Sequence, residues 1–133
     1  MRILQPEGWA QPKGYSNGIT AEGRLVFVAG IVGWNAREEF ESDSIVDQIR
    51  QALINIVTIL KEADAGPEHV VRMTWYITDS EEYLSNLKEI GAVYREIMGK
   101  NYPCMACLQI AGFIEDRARI EIETTAVVPT TKG

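Results

Sequence analysis

The chain has 133 residues, 46% of them hydrophobic and 24% charged, close to the averages of soluble globular domains and unlike disordered or membrane-embedded chains. That length suits one core that buries roughly two thirds of the unfolded surface, so a single domain over residues 1–133 is expected, without structural metal or disulfides. Nineteen acidic against 13 basic side chains give a formal charge of −6, which repels phosphate backbones and argues against nucleic acid as a partner.

The first residues, Met1 to Glu7, lack the apolar stretch of an export signal. No run approaches the roughly 18 apolar residues of a membrane span. With two cysteines, a reducing, cytoplasmic setting is expected. Glycines cluster early, at Gly8, Gly14, Gly18, Gly23, Gly30 and Gly33. No Gly-Lys-Ser/Thr follows, and Gly14-x-x-x-Gly18 lacks the strand of a dinucleotide fingerprint, so these read as turns. Leu25 to Ala29 reads as a short buried strand, and the turn composition of Ala21 to Arg24 predicts Ser16 to Thr20 as the other arm of a hairpin.

Ile45, Ile49, Ala52, Leu53, Ile56, Val57 and Leu60 recur at helical spacing, with Ser42 or Ser44 as cap and Gly66-Pro67 as the stop. His69 to Thr78 alternates, placing Val71, Met73, Trp75 and Ile77 on one face and Arg72, Thr74 and Tyr76 on the other. Asp79-Ser80-Glu81-Glu82 resembles a capping box for a second helix carrying Tyr83, Leu87, Ile90, Tyr94 and Ile97 and ending at Gly99. Residues 104–111 and 119–128 are strands, expected to close as an antiparallel pair around 112–118. This order predicts a two-layer α+β domain with both helices on one face of a sheet.

Several constellations invite chemistry. Cys104 and Cys107 have C-x-x-C spacing, but on a strand their α-carbons lie about 10 Å apart on opposite faces. A zinc site would need ligands that one histidine cannot supply, so no metal is expected. His69, at a turn, reads as a surface group. Glu121 and Glu123 share one strand face roughly 7 Å apart in a polar row with Arg119 and Thr125. That row is either an ion-paired solvent face or the wall of a cleft in which a carboxyl acts as general acid or base. Trp75 reads as core, whereas Trp9 and Trp34 lie in glycine-flanked segments suited to a core edge, a partner or a ligand.

The succession Gly14-Tyr15-Ser16-Asn17, Leu25 to Gly30, Gln48-x-x-Gln51-Ala52-Leu53-x-Asn55-Ile56, Val70 to Asp79, Tyr102-Pro103 and Ile120-Glu121-Ile122-Glu123-x-x-Ala126-Val127 resembles, in order, the motifs of the Rid (reactive intermediate deaminase, or YjgF) family. The resemblance covers nearly the whole chain. It implies a chorismate-mutase-like α+β fold with a mixed six-stranded sheet and two helices, and a homotrimer with small-molecule clefts between subunits. It also implies hydrolysis of enamine or imine metabolites to a 2-oxo acid and ammonia, with no cofactor. In the family an arginine forks onto the substrate carboxylate, main-chain groups near a cysteine orient the imine, and a glutamate handles water.

By the same resemblance Tyr15, Gly30 and Cys107 fall on binding positions and Glu121 on the catalytic glutamate. Two positions depart. Ala29 stands where a serine is usual, and Pro103-Cys104-Met105-Ala106 puts Met105 in the arginine position. No asparagine aligns at Leu87-Lys88, although Asn86 is adjacent. Loss of a charge-assisted carboxylate bond removes about 1.5–3 kcal/mol, leaving three expectations. Met105, with Trp34, gives apolar contact to a larger or less acidic substrate; or Arg24, Arg37 or Lys88 replaces the anchor; or the protein binds a metabolite without chemistry. A ribonuclease activity, a name attached to some relatives, is disfavoured by the acidic charge and by the lack of a histidine pair or a basic aromatic stripe.

Overall fold

The computed structural model describes residues 1–130. Its elements run β1 (Arg2–Leu4), β2 (Gly18–Thr20), β3 (Arg24–Val32), α1 (Ile45–Glu62), a 3₁₀ turn (Pro67–His69), β4 (Val70–Ile77), α2 (Ser80–Ser85), α3 (Leu87–Met98), β5 (Cys104–Gln109) and β6 (Ile120–Val128). The result is the α+β architecture expected, with six strands and the helices on one side. The strands divide into a mixed four-stranded sheet of order β3-β6-β4-β5 and a separate β1-β2 pair.

Alternation in β4 and β6 buries Met73, Trp75, Ile77, Ile120 and Ile122 on one sheet face, against Ile49, Leu53, Ile56 and Leu60 of α1 and Ile90, Val93 and Met98 of α3. Ser44 caps α1, accepting from the Asp47 amide at 3.3 Å. Gly33 lets α1 sit on the end of β3: a Cβ there would lie 2.3 Å from the Gln48 carbonyl oxygen. Buried Gln48 breaks the apolar stripe but is satisfied. Its amide donates to the Ser42 and Arg117 carbonyls, both at 2.9 Å, and accepts from the Arg119 amide at 2.8 Å. It thereby fixes the chain as it enters β6.

Three expectations about connectivity change. β2 pairs with β1, register Ile3↔Ile19, rather than with β3. β5 pairs in parallel with β4, and β6 inserts between β3 and β4, so no hairpin forms around 112–118. The second helix is interrupted at Asn86, because its side-chain amide donates to the Glu82 carbonyl at 2.7 Å and the Ser85 hydroxyl donates to that of Glu81 at 2.7 Å. These side chains take carbonyls that a continuing helix would use. His69 is structural, its Nδ1 accepting from the Gly66 amide at 3.0 Å.

Candidate functional site

β5 is an edge strand whose register with β4 aligns Met73 with Met105 and Trp75 with Cys107. Residues aligned in parallel strands share a face, so Met105 and Cys107 point toward the helices. The segment before β2 is tied to the start of β5. The Ser16 amide donates to the Pro103 carbonyl at 3.0 Å and its hydroxyl to that of Tyr102. This brings Lys13, Gly14 and Tyr15 beside Met105.

Two cavities result. One, of about 230 Å³, is lined by Lys13, Gly14, Tyr15, Tyr83, Met105 and Cys107. The other, of about 260 Å³, shares Lys13, Gly14, Tyr83 and Met105 and runs beneath α3 to Trp75, Leu87, Ile90, Gly91, Tyr94, Arg95 and Tyr102.

Lys13 and Arg95 are the charged residues of the two linings, and no carboxylate joins them. Burial, then the neighbouring Cys107, pushes the Tyr83 hydroxyl up to about 12, and it donates to the cysteine sulfur. Burial raises the Cys107 thiol, against the lowering effect of Tyr83, so Cys107 is a thiol wall rather than an activated nucleophile. Tyr94, raised by burial, stacks on Tyr102 at 5.7 Å and donates to the Asn101 carbonyl. The indole N–H of Trp75 is buried without a partner, an arrangement that costs about 1–3 kcal/mol.

Glu121 lies on the opposite face. It pairs with Tyr76 across the β4–β6 ladder, so it shares the side of the sheet that the helices leave uncovered. The β3–β6 register shifts between Val28 and Ile31, a bulge at Ala29-Gly30. A Cβ at Gly30 would sit 2.4 Å from Oε2 of Glu121, so the glycine makes room for the carboxylate. Ala29 is exposed beside it. Tyr76 donates to Glu123 at 2.6 Å, and this bond, with burial, raises the tyrosine. The expected polar row is incomplete: the Arg119 guanidinium turns to Glu82 of α2, at 3.1 and 3.0 Å from its two oxygens.

Thus Tyr15, Met105 and Cys107 come together, Ala29, Gly30 and Glu121 come together, and the sheet separates the two groups. Trp34 joins neither. It packs on Phe40 at 5.5 Å, and its carbonyl accepts from Asn55 at 2.7 Å. Nor do the expected cations reach Met105. Arg24 donates to the Ala63 carbonyl at 2.8 Å and Arg37 to Glu39 at 3.3 Å, while Lys88 lines neither cavity. The cations that do are Lys13 and Arg95, which carried no sequence signal. Tyr83 was visible only as part of a helical stripe. Among the described residues, no three His, Cys, Asp or Glu side chains converge as a metal site requires, and no helix is long and apolar enough to cross a membrane.

A mixed sheet with helices on one face, a walled cleft at its edge strand and a glutamate over a glycine bulge define an α+β protein of chorismate-mutase-like architecture. The chain matches the family described as Endoribonuclease L-PSP over residues 9–128. It is 27% identical over 127 residues to the RutC family protein UK114 of Drosophila melanogaster, covering 95% of this chain and 88% of that one. It is 26% identical over 114 residues to the 2-iminobutanoate/2-iminopropanoate deaminase of Homo sapiens, covering 85% and 79%. A crystal structure of a Rid family protein of unknown function, YyfB from Yersinia pestis, superposes with a TM-score of 0.84 at 29% identity, covering 96% and 98%. This chain belongs to that family, the Rid/YjgF proteins.

Proposed function

We propose that the protein is a cytoplasmic hydrolase, one Rid-type domain over residues 1–133, acting as a homotrimer on an imine or enamine metabolite without a cofactor. Met105, where deaminating relatives carry arginine, shifts it toward bulkier or less acidic substrates. The observation that carries this reading is the division of the site by the sheet. Tyr15, Met105 and Cys107 wall a cleft on one face, while Glu121 stands on the other, beside Gly30 on the edge strand β3. A ligand in contact with both groups needs a second copy whose β3 edge meets this copy's β5. Support for such assembly comes from exposed apolar side chains at both edges of the uncovered face, Leu25 and Phe27 on β3 and Leu108 on β5, and from the edges themselves, which among the described residues have no strand neighbour apart from the bridge of Ser16 to Cys104.

In that cleft, the main chain of β5 holds the imine and Tyr15, Met105 and Cys107 exclude bulk water. Glu121 takes a proton from water as its oxygen adds to the C=N carbon, then returns a proton to nitrogen. As the C–N bond breaks, the proton of the new hydroxyl passes through Glu121 to the leaving nitrogen, giving a carbonyl compound and ammonia. General-base catalysis of this kind is worth about 10²–10⁴-fold.

The test is a coupled assay of ammonia release from freshly generated 2-aminoacrylate and from bulkier or neutral imines, on wild type beside Met105→Arg. Release by wild type from the bulkier or neutral imines, with 2-aminoacrylate gained by the variant, is the expected result. Absence of release from every substrate by wild type overturns the catalytic reading and favours a trimer that binds a metabolite without chemistry.

A further inference from the structure

We propose that the cavity beneath α3 is a subsite for a carboxylic acid bearing an aromatic ring, the ring lying against Met105 and Tyr94 and the carboxylate held at the mouth by Arg95. This rests on reading the Met105 cleft as the ligand site, and names the ligand class that it selects.

Size favours a ring. An apolar cavity of about 150 Å³ accommodates benzene, and this one measures about 260 Å³ before the adjoining space beside Cys107 is added. Its floor is aromatic and thioether surface, with Trp75, Tyr94, Tyr102 and Met105, suited to offset ring stacking and sulfur–aromatic contact.

Charge selects the acid. In a chain with 19 acidic and 13 basic side chains, the cavity is lined by two cations, Lys13 and Arg95, and by no carboxylate. Arg37, Arg50, Arg117 and Arg119 are each engaged by an acid. Among the described residues Arg95 has no ion pair. Its Nη1 lies 3.4 Å from where a Cβ on Gly91 would stand. The guanidinium is therefore folded back one helical turn, over a glycine that also lines the cavity. A planar fork in that position matches a carboxylate.

The anchor absent from β5 has therefore moved to α3, and the space that an arginine at position 105 would occupy is open to a ring. Calorimetric titration of the native oligomer with 3-phenylpropanoate, 3-phenylpropanamide and propanoate tests this directly. The acid with the ring is expected to bind at least ten-fold more tightly than either the amide or the short acid. Arg95→Ala should bring it to the level of the amide and Arg95→Lys should restore part of the difference. Arg50→Ala, which removes a cation outside the cavity, should change nothing. Because Arg95 is exposed, its variants should keep the wild-type melting temperature. Equal binding of acid and amide, unchanged affinity in Arg95→Ala, or no binding of any probe overturns the proposal. Selective binding by a protein that releases no ammonia from any imine leaves the subsite standing and removes the hydrolase reading. Ammonia release without this selectivity does the reverse.

Discussion

The two faces of the four-stranded sheet come from the same alternating strands and have opposite fates. On the face beneath the helices, Met73, Ile120 and Ile122 are fully buried and Trp75 nearly so. On the other, Phe27 is 73% exposed, and Glu121, Glu123 and Tyr76 share that face. The first face holds the protomer together, and the cleft under α3 is a gap at its margin. The second contributes little to the fold of one chain and carries the carboxylate proposed to do the chemistry. On the proposed reading, in which Glu121 and the Met105 cleft act on one ligand, a complete site is a property of the assembly rather than of the chain.

Glu121→Gln puts the greatest strain on that division. The substitution keeps the shape beside Gly30 and removes the base, so ammonia release should fall on the order of 100-fold or more with an unchanged melting temperature. An unaltered rate would remove Glu121 from the mechanism. Next comes a matched pair of variants. Met73→Ala on the covered face should lower unfolding free energy by about 2–5 kcal/mol, read from urea titration, while the mass in solution stays the same. Phe27→Asp on the open face should reduce the mass measured by light scattering to that of one chain, with its helical circular dichroism retained. If Phe27→Asp leaves the mass unaltered, the open face is not where copies meet.

How much of this was legible in the sequence depends on the range of the interaction. Local signals carried well: the stripe and Ser44 cap of α1, the alternation of β4, the Asp79 cap of α2, accepting from the Glu82 amide at 3.1 Å, and the turn at Gly99. Pairing partners did not, because alternation assigns a face but no neighbour. Residues 104–109 and 120–128 are close in sequence and suggested a hairpin, yet β6 sits in the middle of the sheet and β5 at its edge. Among site residues, the family resemblance pointed to Tyr15, Met105 and Cys107, which do meet. It also pointed to Gly30 and Glu121, whose contact depends on a bulge that no periodicity encodes. Arg95 was invisible for a simpler reason. It follows Tyr94 on an expected helix, and spacing alone does not say that its guanidinium folds back over Gly91.

The smallest expected effect concerns the hinge between cleft and core, where Tyr83 meets Cys107. In the folded chain the Tyr83 hydroxyl is held neutral up to about 12, against an ordinary value of 10.0. A group whose pKa is raised by folding contributes stability that is fully present below its unfolded value and is lost as pH rises through the folded one. Wild type should therefore lose this contribution between about pH 10 and pH 12, and Tyr83→Phe should show a shallower decline over that window in urea midpoints. Tyr94, raised in the same direction by its own burial, remains in both proteins and keeps part of the slope. The substitution has a second consequence with its own sign. The Tyr83 hydrogen bond lowers the Cys107 thiol against the burial that raises it, so its removal should raise that thiol further. Alkylation of Cys107 by iodoacetamide near pH 8.5, followed by mass spectrometry, should then be slower in Tyr83→Phe than in wild type, since the thiolate is the reacting species. Faster alkylation would mean that the tyrosine shields the sulfur more than it acidifies it, and the wall between the two cavities would be a steric barrier rather than a hydrogen-bonded one.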